Sequence, residues 1–358
     1  MRVCVISEAK SIHTQRWTTS LAQAGCDIHL ISSSKADIPG VEFHCHPIYS
    51  PNPWQQVRNN RSIRGLIRTL KPDVVHLFGL FSASSLGTMW VIRGLEKLVI
   101  SVWGSDVKPA GGGETYKERL IKRYLLNRGD CLVSISEYLA HEVERYLKRP
   151  REIEVIPWGV DIDMFRPIQR RGNSGVVKVG FAKRLHPLSG PDIMLKAFQY
   201  ARDRCKRELL LKIAGSGPME NRLKQEAAQL GLADSVKWAG WVGTPEGLRD
   251  FYHSIDMFVM PSRRESFGVS AVEASAVGLP VIASRFGGIP EIVVHGETGL
   301  LVDPDDVDGF GEAIVTLGEN GDLRRQMGVK ARARAEERFD WRNSVRDMLT
   351  IYRRVSEK

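Results

Sequence analysis

The chain has 358 residues, 42% hydrophobic and 26% charged, the composition of an ordinary globular protein. That length suits two or three domains, and no run of about 18 apolar residues is present to cross a membrane as a helix. The net charge of +9 points to an anionic partner: nucleic acid, a membrane surface or a phosphorylated substrate.

The positive charge is distributed rather than gathered into a tail. Residues 1–165 and 166–358 carry net charges of +4 and +5, and the densest excess lies at 51–123, with 12 Lys/Arg against 5 Asp/Glu. Without a basic arm or an aromatic-rich recognition motif, nucleic acid is not the expected partner. Five scattered cysteines, Cys4, Cys26, Cys45, Cys131 and Cys205, form no CxxC pair. They read as reduced thiols of a cytosolic compartment.

The predicted elements begin with the apolar run Val3–Ile6. It is too short, and too closely followed by Glu8, for a signal peptide, and reads as a first buried strand. Strands are predicted at Ile28–Ile31, Val74–Leu77, Leu98–Val102, Cys131–Ser134 and Ile153–Ile156. A second set follows at Val176–Phe181, Leu209–Ala214, Val236–Ala239, Met257–Met260, Val281–Ala283 and Leu300–Val302. Continuous apolar strands alternating with helical patterns predict parallel sheets covered on both faces, so the fold class is α/β with two doubly wound, Rossmann-like domains. The break runs from Pro157-Trp158-Gly159 to Pro167 and into the polar stretch 169–174. It divides an N-terminal domain, 1–165, from a C-terminal one, 166–339, with a final Arg-rich helix at about 340–358 completing the first domain.

Three local patterns bear on ligands. In a strand, His44 and His46 of His44-Cys45-His46 share a face, as metal ligands would. Pro47 ends the run, and no carboxylate or further Cys sits close by. The segment therefore reads as a strand with Phe43 and Cys45 turned inward, and no metal site is expected. Arg58, Arg61, Arg64, Arg68 and Lys71 recur at spacings of three and four, with Ile63, Leu66, Ile67 and Leu70 on the other side. That basic amphipathic helix packs its apolar stripe on the sheet and suits an anionic bilayer surface. His76, at a strand end, reads as core packing.

The most informative segment is Pro261-Ser262-Arg263-Arg264-Glu265-Ser266-Phe267-Gly268-Val269-Ser270-Ala271-Val272-Glu273-Ala274. It follows a strand, and Gly268 opens a helix. The first free N–H groups of a helix suit a pyrophosphate. Glu273, about five residues into that helix with its side chain leaning back toward the N-terminus, is placed to accept from ribose hydroxyls. Glu265 stands at the carboxyl end of the strand, where ligands bind in open α/β sheets.

This segment resembles the signature of the retaining family-4 glycosyltransferases of GT-B fold, glycosyl transferases group 1. They carry a Glu, seven residues and a second Glu, with Phe-Gly soon after the first. The resemblance continues through Gly278-Leu279-Pro280-Val281-Ile282-Ala283, Gly287-Gly288-Ile289-Pro290-Glu291, Gly296-Glu297-Thr298-Gly299-Leu300-Leu301-Val302, Ala214-Gly215-Ser216-Gly217-Pro218 and Val155-Ile156-Pro157-Trp158-Gly159-Val160-Asp161. It implies two domains facing a central cleft, with Glu273 on the donor ribose and Glu265 on the transferred sugar. Ser266, Phe267, Gly268 and Val269 would meet the sugar and pyrophosphate. Gly215 lies in the glycine turn, and Trp241 and Val242 would face the base. Arg184 fits the phosphate-clamping arginine, a task its guanidinium fork suits. Where relatives have Glu-Lys-Gly, this chain has Leu188-Ser189-Gly190, so Lys183 is the candidate for the second phosphate cation.

The N-terminal half departs further. Ser11-Ile12-His13-Thr14 resembles a subset of relatives with a Ser-x-His-Thr start. His13 and Thr14 are acceptor-side candidates, with helix capping the other reading for Thr14. In Ser101-Val102-Trp103-Gly104-Ser105-Asp106, Trp103 stands where relatives often have His, and Asp106 is expected to orient an acceptor hydroxyl. Asp161-Ile162-Asp163 reads as part of the hinge. The resemblance implies transfer from a UDP-, GDP- or ADP-sugar to a saccharide or lipid-linked acceptor, in cell-surface polysaccharide or glycoconjugate synthesis. It implies no metal and no other cofactor. The enzyme is expected to be cytoplasmic, peripheral on the inner face of the membrane. A sugar-nucleotide epimerase or a phosphorylase of the same fold stays open.

Overall fold

The computed structural model describes the chain except for residues 49, 51, 81–85, 105, 106, 108–112 and 169–174. It divides into two compact units, Met1–Pro157 with Ser344–Lys358, and Trp158–Asn343.

In the first unit the strands are β1 (Arg2–Ile6), β2 (Asp27–Ser32), β3 (Val41–Cys45), β4 (Val74–Phe78), β5 (Leu98–Val102), β6 (Cys131–Ser134) and β7 (Glu154–Val155). They form one parallel sheet in the order β3-β2-β1-β4-β5-β6-β7. Its helices are α1 (Ile12–Gln23), α2 (Pro53–Leu70), α3 (Leu86–Ile92), α4 (Tyr116–Leu126) and α5 (Glu137–Glu144). The central β4 and β5 are buried at every position, as a sheet covered on both faces requires. Helix starts are fixed locally: the Asn52 side chain accepts from Trp54 N and Gln55 N before α2, and Thr115 and Glu118 form a reciprocal capping box before α4. On α2, Ile63 and Ile67 are buried while Arg58, Arg61 and Arg68 are exposed, so the apolar stripe meets the fold and the basic one meets solvent.

The second unit has β8 (Val176–Ala182), β9 (Glu208–Ala214), β10 (Val236–Gly240), β11 (Met257–Met260), β12 (Val281–Ser284) and β13 (Gly299–Val302). These also run parallel, ordered β10-β9-β8-β11-β12-β13. They alternate with α6 (Pro191–Arg204), α7 (Glu220–Gln229), α8 (Pro245–His253), α9 (Val269–Ala276), α10 (Ile289–Ile292), α11 (Val307–Glu319) and α12 (Gly321–Arg338). The chain reverses its direction of winding between β8 and β11, the place where such sheets open a crevice at their carboxyl ends.

The first boundary falls at Pro157, eight residues before the sequence-based one at 165, for a visible reason. Val160 N donates to Phe339 O at 2.8 Å and Trp341 N to Val160 O at 2.9 Å, tying 158–165 to the end of α12. Asp161 closes a turn by accepting from Asp163 N and Met164 N. The last helix, α13 (Trp341–Ser356), is cut at Asn343–Ser344, and its remainder belongs to the first unit. Ser344 Oγ donates to Pro157 O, Lys97 Nζ donates to Ser356 O, and Arg354 pairs with Glu154.

Three sequence expectations are corrected here. Cys45 is exposed, not turned inward, since it is the last residue of an edge strand with a neighbour on one side only. A carboxylate does sit close to His44: Glu42 is on the same strand, and β2 adds His29. Thr14 is not a cap. Ser11 holds the N-cap position, and Thr14, inside α1 and fully buried, bonds Ser7 Oγ at 2.7 Å.

His76 is fully buried in β4, with Nδ1 2.6 Å from the Tyr352 hydroxyl of α13 and Nε2 2.7 Å from Ser101 Oγ of β5. Burial pushes its pKa down to about 3. The unfolded chain titrates near 6.5, so below that pH it binds a proton the folded state refuses, and stability falls as pH drops from there toward 3. At pH 5 the loss from this residue is on the order of 2 kcal/mol. Urea unfolding at pH 7 and pH 5 checks this: His76→Asn is expected to be less stable than the wild type at pH 7 but to lose less between the two pH values. An equal loss in both proteins would assign the acid sensitivity elsewhere.

Candidate active site

The second unit gathers most of the sequence-predicted donor residues at the carboxyl ends of β8, β9 and β11. Lys183 and Arg184 follow β8, Gly215 follows β9, and Glu265 to Gly268 lead from β11 into α9. Two glycines set how closely these loops approach. A Cβ on Gly215, at φ 143°, would lie 2.0 Å from the carbonyl oxygen of Lys183. A Cβ on Gly287, at φ 63°, would lie 1.7 Å from that of Glu265. Only glycine permits both the left-handed backbone and the contact.

Within that frame Lys183 Nζ pairs with the Glu265 carboxylate, and each side chain keeps only about a fifth of its surface exposed. Lys183 also reaches Met260 Sδ at 3.6 Å. Arg184 points into solvent and makes no ion pair among the described residues. Arg263, by contrast, is fully engaged: its two terminal nitrogens each meet an Asp192 oxygen at 2.8 Å, and Nε meets Asp305 Oδ1 at 2.7 Å. Those contacts hold its pKa above the ordinary arginine value. Arg263 also donates to Pro187 O, and Arg263 N to Leu188 O, so the β11 loop is tied to the Leu188-Ser189-Gly190 turn where the family's lysine is absent.

Helix α9 begins at Val269 with Gly268 as its N-cap, at φ 119°, and no side chain caps it. The N–H groups of its first two residues, Val269 and Ser270, have no intrahelical acceptors, while Ala271 N turns back to Gly268 O at 2.9 Å. Phe267, buried beneath, packs edge-on against Phe339 with ring centres 5.9 Å apart. Glu273, the fifth residue of α9, is half-buried and accepts from the Tyr252 hydroxyl at 2.9 Å. Tyr252 is fully buried on α8, and burial together with Glu273 raises its pKa well above the ordinary value, so it stays a donor. Sequence reasoning missed Tyr252 and Arg263. The available signals were a tyrosine on the inward face of a helix preceding β11, and an arginine two residues before Glu265.

Trp241 and Val242 follow β10, and Gly215 N donates to Gly240 O at 2.7 Å, which joins their loop to the glycine turn. Trp241 is 70% exposed. Ser266 is half-buried beside Glu265. In the first unit, His13 and Trp103 meet edge to face at 6.1 Å, and burial, with Arg16 adding to it, lowers the His13 pKa to about 4. Asp106 lies outside the described residues.

The profile described as "Glycosyl transferases group 1" matches residues 168–334, and that described as "Glycosyl transferase 4-like" matches residues 2–136. A D-inositol 3-phosphate glycosyltransferase from Corynebacterium jeikeium is 30% identical over 288 residues, 74% of this chain and 68% of that protein. One from Streptomyces scabiei is 33% identical over 258 residues, 67% of this chain, and the match spans only 55% of that relative's length. Among solved structures, sucrose-phosphate synthase from Thermosynechococcus elongatus has a TM-score of 0.84 at 20% identity over 99% of both chains. Anabaena HepE, crystallised with UDP and glucose, has a TM-score of 0.77 at 19% identity over 98% of both chains. Sequence and fold agree: the chain belongs to the group 1, family 4-like glycosyltransferases and has the GT-B fold.

Proposed function

We propose that this protein is a retaining glycosyltransferase that moves a sugar from a nucleoside-diphosphate sugar to a saccharide or lipid-linked acceptor, without a metal. The reading is carried by one observation: two carboxylates, Glu265 before α9 and Glu273 within it, accompany a helix start that no side chain caps, and Lys183 pairs with Glu265 while the adjacent Arg184 is exposed. In this reading the pyrophosphate binds the first N–H groups of α9, the ribose hydroxyls bind Glu273, and the sugar hydroxyls bind Glu265. Trp241 and Val242 face the base.

Breaking the anomeric bond leaves negative charge on the diphosphate and positive charge on the ring. Helix N–H groups stabilise the former from fixed positions, which is where electrostatic catalysis is strongest, and the guanidinium of Arg184 adds to them. Arg184 suits the task because its charge is not engaged elsewhere among the described residues, whereas Arg263 is spent on Asp192 and Asp305. Lys183 joins it when the donor phosphate draws it from Glu265, and the same movement frees Glu265 for the sugar. Tyr252 holds Glu273 in place before the donor arrives.

The first unit supplies the acceptor side in this reading, through His13, Trp103 and Asp106. Its basic segment 51–123 suits an anionic acceptor, and the named activity of the relatives makes inositol phosphate one of the first to assay. Helix α2 exposes Trp54 together with Arg58, Arg61 and Arg68, a combination suited to an anionic membrane surface, and hence to cell-surface glycoconjugate synthesis at its cytoplasmic side. No helix among the described residues is long and apolar enough to cross a membrane.

Thermal shift against UDP, GDP, ADP, CMP and their sugar conjugates tests the donor site. A ligand at about 100 times its Kd stabilises by roughly 2.7 kcal/mol, and that shift is expected to vanish in Glu273→Ala. Silence from every nucleotide would sink the reading. With the donor known, Arg184→Ala is expected to lower kcat by about 100-fold or more while the nucleotide shift largely survives. The anomeric proton coupling of the product, read by NMR, should match the donor, and the rate should be the same with Mg2+ or Mn2+ added or omitted. An inverted product, or a rate that needs the added ion, would overturn the retaining or the metal-free assignment respectively. Epimerised nucleotide sugar without transfer would favour the epimerase.

A further inference from the structure

We propose that His29, Glu42 and His44 form a binding site for a divalent transition-metal ion of the zinc class, on the edge of the first unit's sheet and independent of the donor site. The register places them. His29 of β2 pairs directly with Glu42 of β3, and His44 lies two residues further along β3. Side chains two apart on a strand share a face, so all three project from the same side.

The ligand atoms converge. His29 Nδ1 is 3.0 Å from His44 Nε2 and 3.6 Å from Glu42 Oε2, and His44 Nε2 is 3.5 Å from Glu42 Oε1. A tetrahedral zinc ion with Zn–N bonds of about 2.0–2.1 Å holds its ligand atoms about 3.3 Å from one another. The two imidazole nitrogens stand slightly closer than that, and each has its own Glu42 oxygen slightly beyond it, Oε2 for His29 and Oε1 for His44. A shared proton between the imidazoles accounts for the 3.0 Å contact, but not for a carboxylate turned toward both nitrogens at once.

A second observation points the same way. His29 is only 3% exposed, and its Nε2 is buried without a hydrogen bond, with Asp27 Oδ1 3.4 Å away. Asp27 is itself fixed by Arg2 at 2.7 Å. A histidine that ligates through Nδ1 carries its proton on Nε2, and a carboxylate facing that proton orients the ring and makes the ligand more basic. Two imidazoles and one carboxylate suit Zn2+ and its first-row neighbours rather than Mg2+ or Ca2+, and leave a fourth position for water.

The test is isothermal titration of tag-free, chelator-stripped protein with ZnCl2, with metal analysis of the dialysed product. One Zn2+ per chain is expected. Glu42→Gln and His44→Gln are each expected to weaken binding by tenfold or more, and Asp27→Asn by about tenfold. Glu42 is exposed, so its variant reports on the ion without disturbing the core, and far-UV circular dichroism checks both folds. Cys45→Ser, altering the exposed thiol next door, should leave the affinity unchanged. Failure of the wild type to take up Zn2+ overturns the proposal. So does equal uptake by wild type, Glu42→Gln and His44→Gln, which would place the ion elsewhere. Neither result bears on nucleotide binding.

Discussion

Two carbonyl oxygens, those of Lys183 and Glu265, each lie against a glycine of a neighbouring loop, and the candidate site depends on that pair of contacts. Gly215 and Gly287 leave no room for a side chain at either place. The loops after β8 and β9 therefore meet backbone to backbone, as do those after β11 and β12. Side-chain packing alone tolerates rotamer changes, whereas a main chain held against another main chain fixes where the next side chain starts. Lys183 and Glu265 start from such fixed points, and this is what brings an ammonium and a carboxylate from residues 82 apart in sequence into one ion pair.

The same frame sorts the cations of the site. Arg263 is forked onto Asp192 and bonded to Asp305, so its work is to hold the β11 loop against α6 and the turn at Leu188. An anion reaching Arg263 would have to displace two carboxylates. Arg184 has no such competitor among the described residues, and Lys183 has one, Glu265. The pairing of charges thus separates the three cations. Glu273 shows another arrangement, a carboxylate oriented by a buried neutral donor, Tyr252.

What the sequence disclosed follows from the range of the interactions involved. Apolar runs such as Val74–Leu77 and Met257–Met260 read directly as strands, because a strand buried on both faces needs no partner to be recognised. The spacing of Glu265 and Glu273 was legible for the same reason, since a loop and one helix carry both. Tyr252 was not, because its hydroxyl, carried on α8, meets Ser270 and Glu273 of α9 only in the folded chain. The boundary at Pro157 was not, because it is set by Val160 bonding to Phe339 and Trp341, some 180 residues on. The misreading of Cys45 came from treating an edge strand as an interior one.

The trio on β2 and β3 illustrates the limit most sharply. Within β3 alone, His44 and His46 looked like the pair, since both are local. Yet β3 ends at Cys45, and His46 instead lies 3.3 Å from Ser62 Oγ. The partner of His44 is His29, brought beside it only by parallel pairing in register, and a shift of one residue would turn the histidines to opposite faces. Its position also says what kind of site this is. The trio sits on the strands of the sheet edge themselves rather than in the carboxyl-end loops that carry chemistry in such folds. An ion there would join the edge strand to its neighbour through side chains as the ladder does through the backbone. A sheet edge with only one neighbour has the most to gain from such a fastening.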